Sequence, residues 1–284
     1  MYKMIILDLD GTLLNDYKEV SEENVKAIER AYKEKGVISV IATGRPLSYA
    51  TRVSSTYGNQ FADYIIASNG AIIKNIKTNE YINKVTFSNE EVLKIRDIFL
   101  KESANYMMVS TEEKAITETL NGMSFEKLGI GKNQNKLEVK SIKGIIEENP
   151  NIDKFLCLIG GEEEKIAKII KEVNALENIE SSLMCSYIHK SNDNTFESKY
   201  VDIVKKGCTK KNAIIMLAEK LGIKQEEIIV VGDGGNDISM FECAGLKIAM
   251  SNAEEYLKEK ADFITASNND DGVAKAIDKF IFGI

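Results

Sequence analysis

The sequence predicts an α/β protein with a mostly parallel sheet, interrupted by a second α/β module. In the first and last thirds of the 284 residues, apolar segments rich in β-branched residues alternate with helix-like segments. Such alternation is typical of a parallel sheet covered by helices. Three of these strand-like segments end in polar sequences, whereas those of the middle third show fewer glycines and no carboxylate cluster. These observations indicate one sheet-based unit that the middle of the chain divides in two.

The first third contains several strand-like segments and one long helix. MIILDLD, at residues 4–10, is the first strand. SEENVKAIERAYKEKG predicts a helix with its N-cap at Ser21 and its C-cap at Gly36. VISVIATGR, at 37–45, predicts a buried strand because it is rich in β-branched residues, and YIIASNGAII, at 64–73, adds strand on both sides of an Asn-Gly turn.

The middle of the chain predicts a separate α/β module. SNEEVLKIRDIFLKE and GEEEKIAKIIKEVNAL have the apolar spacing of amphipathic helices, and KFLCLIG and SSLMCSYIHKS are strand-like. The polar stretch KSNDNTFESK is expected to be a solvated loop. We therefore expect the first part of the core domain at 1–83, an inserted α/β domain at 84–203, and the second part of the core at 204–284.

The last third returns to the pattern of the first. KKNAIIMLAEKLG predicts a helix that ends at Gly222. EEIIVVGDGGND is a strand that leads into a glycine-rich turn, and LKIAM and DFIT are short strands. Helical segments lie between and after them, so this part is expected to complete the parallel sheet.

Composition excludes several classes of protein. A formal net charge of -7 argues against binding to nucleic acids or anionic membranes, which requires a basic face. No stretch approaches the roughly 20 apolar residues of a membrane span, and the N-terminal apolar run is too short for a signal peptide. The four cysteines contain no CxxC pair: Cys157, Cys185, Cys208 and Cys243. We expect a cytoplasmic protein with no nucleic-acid or membrane partner.

Three polar sequences follow strands of the core: DLDGT at 8–12, TGR at 43–45 and GDGGND at 232–237. Ligands of open parallel α/β sheets bind at the carboxyl ends of the strands, so these sequences are expected to meet at one edge. Asp8 and Asp10 are two residues apart in a predicted strand and should emerge on the same face. Two carboxylates so close require a cation or a shared proton.

Other ligand-binding motifs do not fit. The chain has no G-x-x-x-x-G-K-[ST] phosphate loop and no G-x-G-x-x-G after its first strand. DLDG lacks the further acidic ligands of a calcium loop. Hard oxygen ligands without a His or Cys cluster indicate Mg²⁺ as the cofactor.

Five stretches together resemble the haloacid dehalogenase superfamily, specifically its Cof-like phosphatases with a large α/β cap. They are DLDGTLL, ATGRP, SNGA, GDGGNDISMFECAG and AMSNAEEYLKEKADFIT with the later DDGVAKAI. The resemblance covers essentially the whole chain. It implies a Rossmann-like core, an inserted cap that acts as a lid, and Mg²⁺-dependent hydrolysis of small phosphorylated metabolites, either sugar phosphates or phosphorylated cofactors.

The resemblance also implies roles for the acidic residues. Asp8 is the expected nucleophile, which forms an aspartyl-phosphate. Asp10 is the expected general acid and then base, a role for which we expect a raised pKa. Mg²⁺ is expected between the Asp8 carboxylate, the Asp10 backbone carbonyl and Asp233. Asp237 is placed near the metal, with a helix N-cap as the alternative.

The family also requires a lysine beside the nucleophile. Lys206-Gly207 matches the usual dipeptide, but Lys210 has the better spacing, with Thr209 as its expected N-cap, and we favour Lys210. Asn69 either contacts substrate or only turns the chain, and Arg45 either reaches substrate or forms a surface salt bridge. The set of expected phosphate or substrate contacts is Leu9, Thr43, Gly44, Lys210, Asn236, Asn69 and Arg45.

Three other functions remain open from the sequence. A phosphosugar mutase would need arginines in the cap to grip a second phosphate, and the inserted module has only Arg96. A dehalogenase or phosphonatase would lack an acid at the position of Asp10. A non-catalytic binding or regulatory protein could share the fold, because fold alone does not establish turnover.

Overall fold

A computed structural model describes residues 1–56, 61–111, 114–118, 137–160, 162–191 and 194–284. The chain divides into two compact units. The core unit comprises Met1–Asn83 and Cys208–Ile284, and the inserted unit is Lys84–Gly207. The sequence analysis drew the second boundary after residue 203, within a strand that continues to Lys205.

The strands and helices of the core unit alternate through most of its length. Its strands are β1 (Met4–Leu7), β2 (Ile38–Ala42), β3 (Tyr64–Ala67), β4 (Ile72–Asn75), β5 (Tyr81–Lys84, ending at the boundary), β12 (Ile228–Gly232), β13 (Leu246–Ala249) and β14 (Phe263–Ile264). Its helices are α1 (Glu22–Lys35), α2 (Leu47–Ser54), α6 (Lys210–Leu221), α7 (Ile238–Phe241), α8 (Glu255–Lys258) and α9 (Gly272–Ile277).

These strands form one eight-stranded sheet in the order β14-β13-β12-β1-β2-β3-β4-β5. The pairs from β14 to β3 are parallel, and β3 pairs antiparallel with β4. Every residue of β1 is buried, as in a parallel sheet covered on both faces. The expected α/β class with a mostly parallel sheet is therefore confirmed.

Helices α1 and α6 begin and end at the capping residues that the sequence predicts. The Ser21 hydroxyl accepts a hydrogen bond from the Asn24 backbone N–H at 3.1 Å, and Gly36 ends α1 in the left-handed region with φ of 66°. Thr209 caps α6 in the same way, and Gly222 ends it. The predicted caps are confirmed.

The described residues of the inserted unit form a second sheet and three helices. Its strands are β6 (Asn105–Ser110), β7 (Ala115–Thr117), β8 (Leu137–Val139), β9 (Ile152–Gly160), β10 (Ile179–Ser191) and β11 (Asn194–Lys205), and its helices are α3 (Asn89–Lys101), α4 (Ile142–Glu148) and α5 (Glu163–Asn174). The strand order is β10-β11-β9-β6-β7-β8. Among the strand pairs that the structure describes in this unit, β7–β8 is the one parallel pair. Phe99, Tyr106 and Phe155 pack together in its separate core.

The expected loop at KSNDNTFESK is wrong. Strand β10 continues to Ser191 and β11 begins at Asn194, where the two residues pair. The polar composition predicted a loop because it offers no apolar face, but the ladder depends on backbone hydrogen bonds, which polar residues also form. Among the helices that the structure describes, none has the length and apolar character needed to cross a membrane.

Candidate active site

The carboxyl ends of three adjacent parallel strands bring the polar sequences to one edge of the sheet. Strand β1 lies between β12 and β2, and Leu7 pairs with both Val231 and Ile41. The chain therefore leaves all three strands at the same level, and the next residues are those of DLDGT, TGR and GDGGND. This edge is the carboxyl-terminal edge at which parallel α/β sheets bind ligands.

Asp8 lies at the centre of a buried ion-pair group. The Lys210 Nζ donates to Asp8 Oδ1 at 2.5 Å and to Asp237 Oδ1 at 2.9 Å. The three side chains are 6%, 2% and 0% exposed for Asp8, Lys210 and Asp237 respectively. Helix α6 begins at Lys210, so its N-terminal turn carries a cation that two carboxylates offset.

The second oxygen of Asp237 closes the turn that follows β12. Asp237 Oδ2 accepts hydrogen bonds from the backbone N–H groups of Asp233 at 3.0 Å and Gly234 at 3.1 Å. Its side chain makes no cap hydrogen bond to the helix that follows, so the alternative of a side-chain N-cap is not what the structure has. Asp237 instead fixes the turn and Lys210 together.

Asp233 is held from the segment that follows β1. The buried Thr12 hydroxyl donates to Asp233 Oδ1 at 2.8 Å. Gly11 has φ of +78°, and a Cβ there would lie 2.1 Å from Asp233 Oδ2. The sequence analysis gave Thr12 no role, although it belongs to DLDGT. Its contact depends on a residue 221 positions away, which local sequence does not reveal.

Three carboxylates share this site with one lysine. Oxygens of Asp8, Asp233 and Asp237 lie within 4.8 Å of one another, which makes them a possible metal-binding group among the described residues. Burial, with the charge of Asp237, raises the pKa of Asp8 to about 8, against the lowering effect of Lys210. Burial also raises the pKa of Asp233 to about 6. Burial lowers the pKa of Lys210, but the charges of Asp237 and Asp8 outweigh it and leave that pKa raised.

One ammonium group cannot offset the charge of three ionised carboxylates, and burial adds to the cost of ionising them. A divalent cation would offset that charge, and hard carboxylate oxygens are the donors that Mg²⁺ and similar ions prefer. The residues present therefore fit a divalent metal. Asp8, Asp233 and Asp237 could each supply one oxygen.

The prediction that the Asp8 and Asp10 carboxylates emerge together rested on both residues lying in the first strand. Strand β1 ends at Leu7, so strand alternation does not extend to Asp10. The Asp10 carboxylate pairs with Arg45 instead, with Nε to Oδ2 at 2.5 Å and Nη2 to Oδ1 at 2.7 Å. Lys18 Nζ adds a contact to Oδ1 at 3.1 Å. Asp10 is not one of the three carboxylates whose oxygens lie within 4.8 Å of one another, although its negative charge acts on Asp233.

The expected rise in the Asp10 pKa is wrong. Burial raises the pKa of Asp10, but the hydrogen bonds and charge of Arg45, with those of Lys18, outweigh burial and hold the pKa below its usual value. For Arg45, the structure has the salt bridge rather than a free guanidinium directed to substrate. The contacts with Arg45 and Lys18 consequently favour the ionised form of Asp10.

The expected phosphate-binding residues on β1 and β2 lie at the same edge. Thr43 is buried, and its hydroxyl accepts a hydrogen bond from the Arg45 backbone N–H at 3.1 Å. Gly44 is buried in the bend that follows. Leu9 is fully buried, and its carbonyl accepts from the Leu14 backbone N–H at 2.8 Å.

The other residues predicted to contact phosphate or substrate lie in separate segments of the chain. Asn69 lies in the turn between β3 and β4, with φ of 56°, and its backbone N–H donates to the Thr43 carbonyl at 3.2 Å. Beside it, a Cβ on Gly70 would lie 2.4 Å from the Thr209 carbonyl, so the turn packs closely on the start of α6. Asn236 is exposed. Lys206 is exposed in the inserted unit, whereas Lys210 contacts Asp8.

Comparison with known proteins gives matches over almost the whole chain. A family model described as haloacid dehalogenase-like hydrolase matches residues 5–277. YxeH of Bacillus subtilis (strain 168), named as a phosphatase, is 33% identical over 282 residues, with 99% of both chains covered. YcsE of the same organism, named a 5-amino-6-(5-phospho-D-ribitylamino)uracil phosphatase, is 31% identical and covers 97% of this chain and 94% of its own.

A solved structure agrees with these matches. The crystal structure of a haloacid dehalogenase-like hydrolase from Bacteroides thetaiotaomicron has a TM-score of 0.81 and 29% identity, covering 98% of this chain and 99% of that one. The expected Rossmann-like core with mostly parallel strands agrees with this fold. On its sequence and its fold, the chain belongs to the haloacid dehalogenase-like hydrolases and is an enzyme of their phosphatase type.

Proposed function

We propose that this protein is a Mg²⁺-dependent phosphatase that hydrolyses small phosphate monoesters through an aspartyl-phosphate on Asp8. The observation that carries the proposal is the buried Asp8–Lys210 pair within a group of three carboxylates. A carboxylate beside a fixed ammonium can approach an anionic phosphate, because the ammonium also attracts the phosphate oxygens.

In the first step, an Asp8 oxygen attacks phosphorus and the ester P–O bond breaks. The bonding electrons go to the leaving oxygen, which takes a proton from Asp10 and departs as an alcohol. This step requires Asp10 in its acid form, which the negative charge of the bound phosphate would favour by raising the Asp10 pKa. Lys210 neutralises charge on Asp8 and on the transferring group. The product of this step is a phosphoryl group bound to Asp8.

In the second step, a water oxygen attacks phosphorus and the P–O bond to Asp8 breaks. The ionised Asp10 accepts a proton from that water, and inorganic phosphate leaves. Asp10 thereby regains the proton that the first step consumed. The ionised form that Arg45 and Lys18 favour is the form that acts as base here.

Mg²⁺ would be held by the carboxylates of Asp8, Asp233 and Asp237 and by the backbone carbonyl of Asp10. When bound, it supplies positive charge that allows the anionic nucleophile to approach the anionic phosphate. The Thr43 hydroxyl orients the phosphate, as do the backbone N–H groups of Leu9 and Gly44 and the side chain of Asn236. Asn69 lies next to this set and would contact the leaving group.

The inserted unit is proposed to act as the cap that selects the leaving group. The name of YcsE, a phosphatase of a phosphorylated ribityl compound, supports sugar phosphates or phosphorylated cofactors as the substrate class. Hydrolysis is favoured over a mutase because Arg96, the inserted unit's one arginine, is engaged by Glu118 through Nε at 2.6 Å and Nη2 at 3.1 Å. We also propose a cytoplasmic location, supported by the buried free thiols of Cys157 and Cys243.

The test is phosphate release from a panel of sugar phosphates, nucleotides, pyridoxal phosphate and flavin mononucleotide. We expect release from a subset in Mg²⁺, loss of release in EDTA, and restoration when Mg²⁺ is added back. Asp8→Asn should abolish release, and Asp97→Asn, a matched change at an exposed residue of the inserted unit, should not. Turnover retained by Asp8→Asn would rule out the nucleophile.

A further inference from the structure

Arg45 is fixed at both its side chain and its backbone. Its guanidinium forms two hydrogen bonds with Asp10, and its Cζ lies 4.1 Å from the centre of the Tyr49 ring. Its backbone N–H donates to the Thr43 hydroxyl, and its carbonyl accepts from the Ser68 N–H at 3.0 Å. Arg45 therefore connects the segment that carries Asp10 with two other segments of the site.

Tyr49 supports this arginine from a rigid element. It lies in the first turn of α2, where its backbone N–H donates to the Pro46 carbonyl at 3.1 Å. Its ring is partly buried against the apolar core of the core unit. A guanidinium over a tyrosine face is attracted by the ring electrons, so the ring restricts where Arg45 can place its hydrogen-bonding groups.

Asp10 needs such support. It follows the end of β1, its side chain is 37% exposed, and the next residue is a glycine with a positive φ. A carboxylate in that position has several staggered rotamers available. A bidentate contact with a planar guanidinium fixes both the direction and the plane of the carboxylate.

The contact still leaves Asp10 able to exchange a proton. A carboxylate has about four lone-pair sites. Among the described residues, Arg45 occupies one lone-pair site on each Asp10 oxygen, and Lys18 occupies a second site on Oδ1. A further site on Oδ2 is then available to the leaving oxygen or to water.

We propose that Tyr49 is a positioning residue that acts through Arg45 on Asp10, the general acid and base of the proposed reaction. The inference rests on the proposed phosphatase function. The ring holds the guanidinium, the guanidinium holds the carboxylate, and the carboxylate transfers a proton to or from the reacting oxygen. In this role Tyr49 acts through its contact with Arg45.

Leaving groups of different basicity separate this role from a purely structural one. An alkyl phosphate needs a proton on its leaving oxygen, so its hydrolysis depends on a well-placed acid. p-Nitrophenyl phosphate releases a stable phenolate and depends on that acid much less. A general loss of structure would slow both substrates equally.

The experiment compares kcat/KM for p-nitrophenyl phosphate and for the best alkyl phosphate of the panel. For Tyr49→Leu we expect about a tenfold loss on the alkyl phosphate, carried by kcat, and less than about a threefold loss on p-nitrophenyl phosphate, since general acid catalysis contributes about 100-fold or more. Arg45→Lys keeps the positive charge but cannot form the two parallel hydrogen bonds to Asp10. It should change the ratio of the two kcat/KM values in the same direction. Tyr49→Phe, which keeps the ring, should restore the wild-type ratio.

The matched control is Tyr32→Leu, since Tyr32 supports Lys77 in a similar cation–π contact on α1. It should leave both substrates unchanged. The positioning role would be overturned if Tyr49→Leu lost kcat/KM equally on the two substrates, or if Tyr49→Phe were as impaired as Tyr49→Leu. Neither result would affect the proposed phosphatase function. Wild-type protein that hydrolyses neither substrate would overturn the phosphatase proposal and the positioning role with it.

Discussion

Removal of the Lys210 ammonium should destabilise the core unit strongly and in a pH-dependent way. Lys210→Met keeps most of the side-chain volume but removes two charge-assisted hydrogen bonds, at 2.5 Å to Asp8 and 2.9 Å to Asp237. Each such bond contributes about 1.5–3 kcal/mol. Breaking a buried ion pair by removing one partner costs about 3–5 kcal/mol, because the remaining charges are left buried. We expect a loss of about 3–5 kcal/mol in the free energy of unfolding at about pH 9, where Asp8 of the wild type is ionised.

The loss should be smaller at pH 5. The pKa of Asp8 is raised in the folded protein to about 8, above its ordinary value of 3.8, so the folded state holds an Asp8 proton that the unfolded state has released between these values. Stability from this group consequently falls as the pH rises through that window. Without Lys210 the Asp8 pKa rises further, which extends the penalty to higher pH. At pH 5 a protonated Asp8 leaves less unpaired charge.

The assay is urea unfolding of the full chain in EDTA at about pH 5 and about pH 9, below and above the raised Asp8 pKa, followed by circular dichroism. Lys211→Met is the matched control, because Lys211 is the next residue and pairs with Glu242 at 2.5 Å, but its side chain is 37% exposed. An exposed ion pair contributes little to stability, because solvent screens its charges. A Lys210→Met loss no larger than that of Lys211→Met, or one equal at both pH values, would refute this reasoning.

Three further perturbations test other contacts. Gly11→Ala should weaken Mg²⁺ binding and reduce activity at least tenfold, because its Cβ would fall 2.1 Å from Asp233 Oδ2; calorimetric titration with Mg²⁺ checks this, and unchanged affinity would contradict it. Thr12→Val should cost about 1–3 kcal/mol in urea unfolding, because it leaves an Asp233 oxygen without its 2.8 Å donor; Thr12→Ser, which keeps the hydroxyl, should cost less. Glu118→Gln should destabilise the inserted unit. Burial raises the Glu118 pKa, but Arg96 outweighs it and the pKa is lowered, so this stability is present above the ordinary value of 4.5 and lost as the pH falls below it. The reasoning would be contradicted if the difference in unfolding free energy between the wild type and Glu118→Gln increased on acidification.

Much of the fold was accessible from the sequence because its signals are local. Ser21 and Gly36 mark the ends of α1 through hydrogen bonds and a backbone conformation that involve only nearby residues. The apolar strands are buried along their length, and that pattern needs no partner to be identified. The polar stretch at the β10–β11 hairpin was misassigned because its ladder joins residues whose side chains carry no strand pattern.

The site was partly accessible for a different reason. Parallel strands end at one edge, so the three polar sequences could be brought together from topology alone. The spacing to Thr209 favoured Lys210 over Lys206, and in the structure Lys210 contacts Asp8. Thr12 was missed because nothing in its neighbourhood indicates which carboxylate it contacts.

The sequence by itself determined the α/β class, the family and the edge of the sheet where the polar residues gather, since periodicity, caps and motifs are properties of short segments. Only the tertiary structure decided which charges pair. Asp8 and Lys210 are 202 residues apart, and Asp10 and Arg45 are 35 apart. The end of β1 at Leu7 directs Asp10 to Arg45 rather than to Asp8, and the resulting guanidinium contact lowers a pKa that the sequence led us to expect raised. Pairing energies depend on distance and burial in three dimensions, and no local pattern encodes them.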